Sequence, residues 1–198
     1  MENIRIYLGI AGGVLSLGAY LPYVISVVRR KTNPVLASWI TWTLSTYIIL
    51  LSSYSLGVRD TIWVPLAYAI GCTIVTLISF KYGTRGWSLF DKLCMVGVVV
   101  SIAIWYLLDN ALIALLLNVF IDFLGYLPTL KKLYFEKREQ EDITAWGFHF
   151  FGTLFNIMAL SAWTVEVLYP VVLFSLNTST FILAVRNRLL VGIKRLNT

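Results

Sequence analysis

Apolar runs of about twenty residues follow one another along nearly the whole chain, and only short polar joints separate them. A water-soluble domain has nowhere to bury such a pattern. The 198 residues are 59% hydrophobic and only 13% charged, with a mean hydropathy of +0.80. A helix crossing a hydrocarbon layer of roughly 30 Å needs about 20 apolar residues, and this chain supplies seven such stretches, at 6–29, 36–56, 61–81, 90–108, 110–134, 144–163 and 166–187. The expectation is an all-α integral membrane protein with no separate soluble domain. No small-residue cleavage pattern follows the first run, so it reads as a retained span and not as a removed leader.

Charge tests the number of spans. A count of seven places 14 of the 16 basic residues on one side, in the joints near Arg29-Arg30-Lys31, Lys81 to Lys92 and Lys131 to Arg138 and in the tail from Arg186. Arg5 and Arg59 alone remain for the other side. Because cytoplasmic loops collect Lys and Arg, this predicts the N-terminus outside and the C-terminus in the cytoplasm, in a cell membrane. Losing or adding a span would scatter the charges. The net charge of +6 therefore reads as membrane orientation, since nucleic-acid binding needs a basic face on a soluble body.

The chain also repeats itself. Tyr20-Leu21-Pro22 before Arg29-Arg30-Lys31 recurs 106 positions later as Tyr126-Leu127-Pro128 before Lys131-Lys132, and each copy leads to an apolar run that opens with tryptophan, Trp39 or Trp146. Pro65 and Pro170 correspond at an offset of 105. Spans one to three thus overlay spans five to seven, and a single intervening helix lets both units point the same way. The predicted architecture is two parallel three-helix bundles joined by a linker helix (3+1+3), with units at 1–88 and 110–198 and the linker at 89–109. Prolines remove a backbone donor and bend a helix, so Pro22 and Pro128 are expected to interrupt their helices at the same depth and act as hinges.

This arrangement resembles the PQ-loop superfamily, which includes the SWEET (MtN3-saliva) and cystinosin-like membrane proteins. The resemblance rests on Leu21-Pro22 with Arg29-Arg30-Lys31 and Ser38-Trp39, and on Leu127-Pro128 with Lys131-Lys132 and Thr144-Ala145-Trp146. Tyr23 and Thr129 stand where the name-giving glutamine would follow each proline. The resemblance implies a transporter for a small solute. In SWEET-like proteins an asparagine midway along the third helix of each repeat takes part in substrate binding; Asn177 is similar in position, whereas Cys72 occupies the matching place in the first half.

The residues themselves mark polar sites within the apolar runs. Asp122 is the one acid well inside a predicted span, where a charged group costs about 2.5–3.5 kcal/mol and marks a functional site by default. Asn118, Asp122 and Tyr126 share one helical face, and Trp146, His149, Thr153 and Asn156 form a second stripe on the sixth span. If the stripes face each other, Asp122 and His149 are placed to exchange a proton. The expected substrate-binding set is Asn118, Asp122, Asn156, Asn177, Trp42 and Cys72, and the proton-coupling pair is Asp122 and His149. Trp39 and Trp146, near span ends, read as interface anchors.

Several functions are excluded or set aside. Cys72 and Cys94 lack metal-ligand spacing, His149 is the only histidine, and no metal or other cofactor is expected. No phosphate-binding GxxxxGK[ST] run, HExxH or GxSxG occurs, so the chain is not expected to be an enzyme or a nucleotide-driven pump. The expected partners are the lipid bilayer, a small polar solute such as a sugar or amino acid, protons, a possible second copy of the chain, and no nucleic acid. A transporter or facilitator working by alternating access is the leading reading. The alternative is a seven-helix receptor or sensor that binds its ligand without moving it.

Overall fold

The computed structural model describes residues 2–30, 33–136, 142–161 and 167–196, and among them the regular structure is helical throughout. The helices are α1 (Glu2–Gly18), α2 (Tyr20–Val28), α3 (Leu36–Ser55), α4 (Trp63–Tyr82), α5 (Leu89–Leu108), α6 (Ala111–Glu136), α7 (Ile143–Met158) and α8 (Leu168–Leu196). Six stretches are long and apolar enough to cross a bilayer: α1 with α2 as one span, α3, α4, α5, α6 and α8. The chain is thus an all-helical membrane protein. The expected sixth span holds only the 16 residues of α7, about 24 Å of helix at 1.5 Å per residue, and residues 162–166 lie outside the described part.

Local chemistry explains where the helices begin and end. Asp142 caps α7 by accepting from the amides of Thr144 and Ala145 at 2.8 and 3.1 Å. Ser88 and Asp91 form a reciprocal capping box at the start of α5. Asp109, in the left-handed region at φ 48°, ends α5, and the side chain of Asn110 accepts from the amide of Ile113 at 3.0 Å. That two-residue joint folds α6 back against α5.

The two prolines behave differently. Pro22 has no amide hydrogen to offer the carbonyl of Gly18, and helical bonding lapses at Ala19 although the backbone keeps helical torsions there (φ −61°, ψ −27°). The first span is therefore one rod with a gap in its ladder. In contrast, α6 runs as a single helix from Ala111 to Glu136, through position 128. The expectation of two matched interruptions is met at Pro22 only.

Packing forms a closed ring in the order α1, α4, α3, α6, α8, α7 and back to α1, with α5 lying outside against α3 and α6. Within each stretch of three, the third helix sits between the other two: α4 touches α1 and α3, while α8 touches α6 and α7. The apolar core under this ring draws Tyr20, Ile49, Val64, Tyr68, Leu115 and Leu173 together from five of the helices. At one end the loop before α3 pairs with the loop after α4, through Leu36 to the carbonyl of Thr84 at 3.1 Å and Thr84 to the carbonyl of Pro34 at 2.8 Å. This pairing gathers Arg29, Arg30, Lys81 and Arg85 at a shared end. Arg186 joins α8 to the end of α6 there, donating to the carbonyl of Leu133 at 2.9 Å. Arg59 lies in the loop joining α3 to α4, at the other end of those helices, and Lys31, Lys137 and Arg138 fall outside the described residues. Among the described residues, these basic groups gather at one end of the helices and Arg59 lies at the other.

Candidate functional site

Where α4, α6, α7 and α8 converge, four polar side chains form a hydrogen-bonded chain. The Tyr126 hydroxyl donates to Asn177 Oδ1 at 3.1 Å, and Asn177 Nδ2 donates to the Tyr68 oxygen at 2.9 Å. Tyr68 then lies 2.9 Å from His149 Nδ1. A phenol oxygen that accepts from Asn177 keeps its own hydrogen for the next partner, so His149 Nδ1 is the acceptor and the ring carries its hydrogen on Nε2. Each contact constrains the next. Turning the Asn177 amide over reverses the polarity of the whole chain and moves the histidine hydrogen to Nδ1.

Aromatic rings wall this chain. His149 packs against Tyr20, Tyr68 and Trp146 with ring centres 5.4, 5.1 and 5.7 Å away. Trp146 also meets Tyr126 at 6.0 Å. On the other side Trp39 lies between Tyr23 and Trp42, each at 5.2 Å. Both Trp39 and Trp146 are half-buried in the aromatic wall, each packing on a ring from its own helix and one from a neighbour.

A parallel contact occurs one repeat length away. The Tyr20 hydroxyl lies 3.4 Å from Cys72 Sγ, and both residues are buried. Tyr20 precedes Tyr126 by 106 positions and Cys72 precedes Asn177 by 105. The tyrosine two residues before each proline therefore meets the middle of a helix, α4 for Tyr20 and α8 for Tyr126. The thiol supports only a weak single bond, whereas the amide relays to a further residue.

The remaining expected residues are distributed around this centre. Asp122 is buried between α6 and α3, where the Ser45 hydroxyl reaches its Oδ1 at 3.5 Å. Asn118, one turn earlier, donates to Ser101 Oγ of α5 at 2.7 Å and to the carbonyl of Ala114 at 2.8 Å. It fastens the outer helix and does not join the central chain. Asn156 is fully buried against α1, and neither of its side-chain polar atoms has a hydrogen-bond partner. Trp42 packs against Gly125 of α6. The direct Asp122 and His149 contact envisaged from the two stripes does not form; His149 bonds to Tyr68, and α8 lies between the helices that carry the two groups.

Tyr68 is the member that the sequence left out. Nothing but its hydroxyl distinguishes it from other aromatic residues in an apolar run, although its place four residues before Cys72 puts it on the same face of α4. Among the described residues no group of three or more acidic, histidine or cysteine side chains has metal-site geometry. Comparison with protein-family models, with curated proteins and with solved structures finds no match for this chain.

Proposed function

We propose that the protein is a membrane transporter or facilitator for a small polar solute, built as two parallel three-helix units joined by α5, and that proton movement through Asp122 and His149 drives its cycle. The observation that carries this reading is the chain from Tyr126 through Asn177 and Tyr68 to His149. It crosses between the proposed units, because Tyr68 belongs to the first and the other three to the second. Rocking one unit against the other breaks the bond between Asn177 and Tyr68 at the midplane. The freed amide and phenol then need a new partner, and a polar solute supplies one.

Packing order supports the same architecture. The third helix is central in both groups of three, and the contacts between groups, α1 with α7 and α3 with α6, correspond under the repeat. The missing rung at Pro22 leaves the first unit a place to bend. Asp122 stands on the other contact between units, where a change of partner alters the cost of carrying charge. Protonating it removes that cost in one conformation and leaves the acid free to ionise when the seam opens to water.

Purified protein in liposomes, screened with labelled sugars and amino acids under an imposed pH gradient, tests the proposal. Gradient-driven uptake is expected in the natural protein. Asp122→Asn should reduce it to background while solute exchange and binding persist. Uptake with unchanged pH dependence in that variant removes Asp122 from the mechanism, and tight binding with no flux in the natural protein makes the molecule a receptor.

A further inference from the structure

Outside the ring, α5 leaves an open cavity of about 580 Å³ against α3 and α6, at the end where the basic loops meet. Trp42, Ile121 and Cys94 form its inner wall, and Arg85 and Trp87 of the loop before α5 form its rim. This space is separate from the central chain of hydrogen bonds. Trp42, packed on Gly125, stands between the two.

Two charged side chains border the cavity, and their states differ. Asp91 is satisfied from within the protein: Ser38 Oγ donates to Oδ1 at 2.6 Å, while the amide and hydroxyl of Ser88 donate to Oδ2 at 3.0 and 2.6 Å. Arg85 makes no ion pair or hydrogen bond with a described residue and is exposed. The space therefore offers an unanswered cation above mainly apolar walls. That combination suits an amphiphile with an anionic head.

The bilayer is the source of such a molecule. Only 17% of the apolar stretch of α5 is covered by protein, the smallest share among the six candidate spans, so α5 is the helix most exposed to lipid and the cavity lies directly behind it. Trp87 at the rim matches the headgroup level of a membrane. Basic residues at this end attract anionic lipid, each contributing about 1 kcal/mol near a charged surface. We infer that the cavity between α3, α5 and α6 is a binding site for one anionic phospholipid, with the phosphate held at Arg85 and the upper acyl chain lying against Trp42, Ile121 and Cys94. The site rests on the membrane reading of the fold and not on the transport reading.

Native mass spectrometry of the full chain, titrated with phosphatidylglycerol or phosphatidylcholine, counts the lipids retained. One phosphatidylglycerol is expected to bind ahead of the others. Arg85→Gln should weaken it about fivefold, whereas Arg29→Gln, at the same end but away from the cavity, should change it by under about twofold. Cys94→Phe fills the apolar wall and should abolish the first binding step with Arg85 intact; if that variant fails to fold, Ile121→Trp occupies the same wall. Equal weakening by Arg29→Gln would reduce the effect to diffuse surface attraction. Equally tight binding of phosphatidylcholine, displacement by soluble glycerol phosphate, or unchanged binding after the wall is filled would each overturn the assignment.

Discussion

Two helix contacts, α3 with α6 and α1 with α7, carry residues that correspond at an offset of 106 or 107, and their chemistry is opposite. Where α3 meets α6, Ser45 reaches toward Asp122 and toward the carbonyl of Asn118, both at 3.5 Å. Where α1 meets α7, Gly152 lies against Ser16 and the carbonyl of Gly12. These are the same places shifted by 106 or 107 residues: Asp122 for Ser16, Asn118 for Gly12, and Gly152 for Ser45. One seam is closed by backbone contact between small residues, the packing that lets membrane helices approach closely. The other is joined by polar side chains through long hydrogen bonds. Under the proposed duplication, one contact has become tight and the other carries the acid. Under the proposed cycle the tight seam is the pivot and the polar seam is the one that opens.

Moving the acid to the closed seam is the severest way to break this comparison. Ser16 is fully buried, and a carboxyl there costs about 2.5–3.5 kcal/mol if charged and a further 1–3 kcal/mol or so for the added volume. Ser16→Asp is expected to prevent recovery of folded protein, measured as the monodisperse fraction after size-exclusion chromatography in detergent. Normal recovery would show that the α1 and α7 seam is not tightly closed.

A smaller change probes the packing alone. A Cβ added at Gly152 would crowd Ser16 Oγ and lie 2.8 Å from the carbonyl oxygen of Gly12, which is backbone and has little freedom to withdraw. Gly152→Ala should destabilise the protein by about 2–3 kcal/mol. Its counterpart Ser45→Ala loses only two long hydrogen bonds and should cost less than about 1 kcal/mol. Thermal unfolding of both variants in one detergent measures the difference; equal losses would remove the distinction between pivot and opening seam.

The sequence made the scaffold legible because its signals are long. Apolar runs, basic joints and the repeated Tyr-Leu-Pro each extend over many residues, and the observed helices fall close to the expected spans, with α7 the shortest relative to expectation. The site was legible only in part. Asn177 and His149 stand out as polar residues among apolar ones, but helical periodicity gives the face of one helix and not the angle between two. It therefore could not show that Asn118 turns toward Ser101, that His149 meets Tyr68 instead of Asp122, or that Asn156 faces Gly12. A tyrosine hydroxyl such as that of Tyr68 has no sequence signature apart from the partner it finds.

Helices α4 and α8 give the finest comparison, because a tyrosine contact ends on a thiol in one and on an amide in the other. Removing Cys72 deprives the Tyr20 hydroxyl of one weak sulfur contact at 3.4 Å. Removing the Asn177 side chain leaves the Tyr126 hydroxyl without its acceptor and Tyr68 without its donor. Leaving buried polar groups unpaired costs about 1–3 kcal/mol, more than a made hydrogen bond contributes. Asn177→Ala is therefore expected to destabilise by about 1–2 kcal/mol beyond the volume it removes, whereas Cys72→Ala should stay below about 1 kcal/mol. Unfolding of the single variants and the double variant gives both costs and their coupling. The two sites share no hydrogen-bond partner, so their costs should add within about 0.5 kcal/mol. A larger coupling would mean that Tyr20 and Tyr68, whose rings meet edge to face at 5.9 Å, join the thiol and the amide into one network across the repeat.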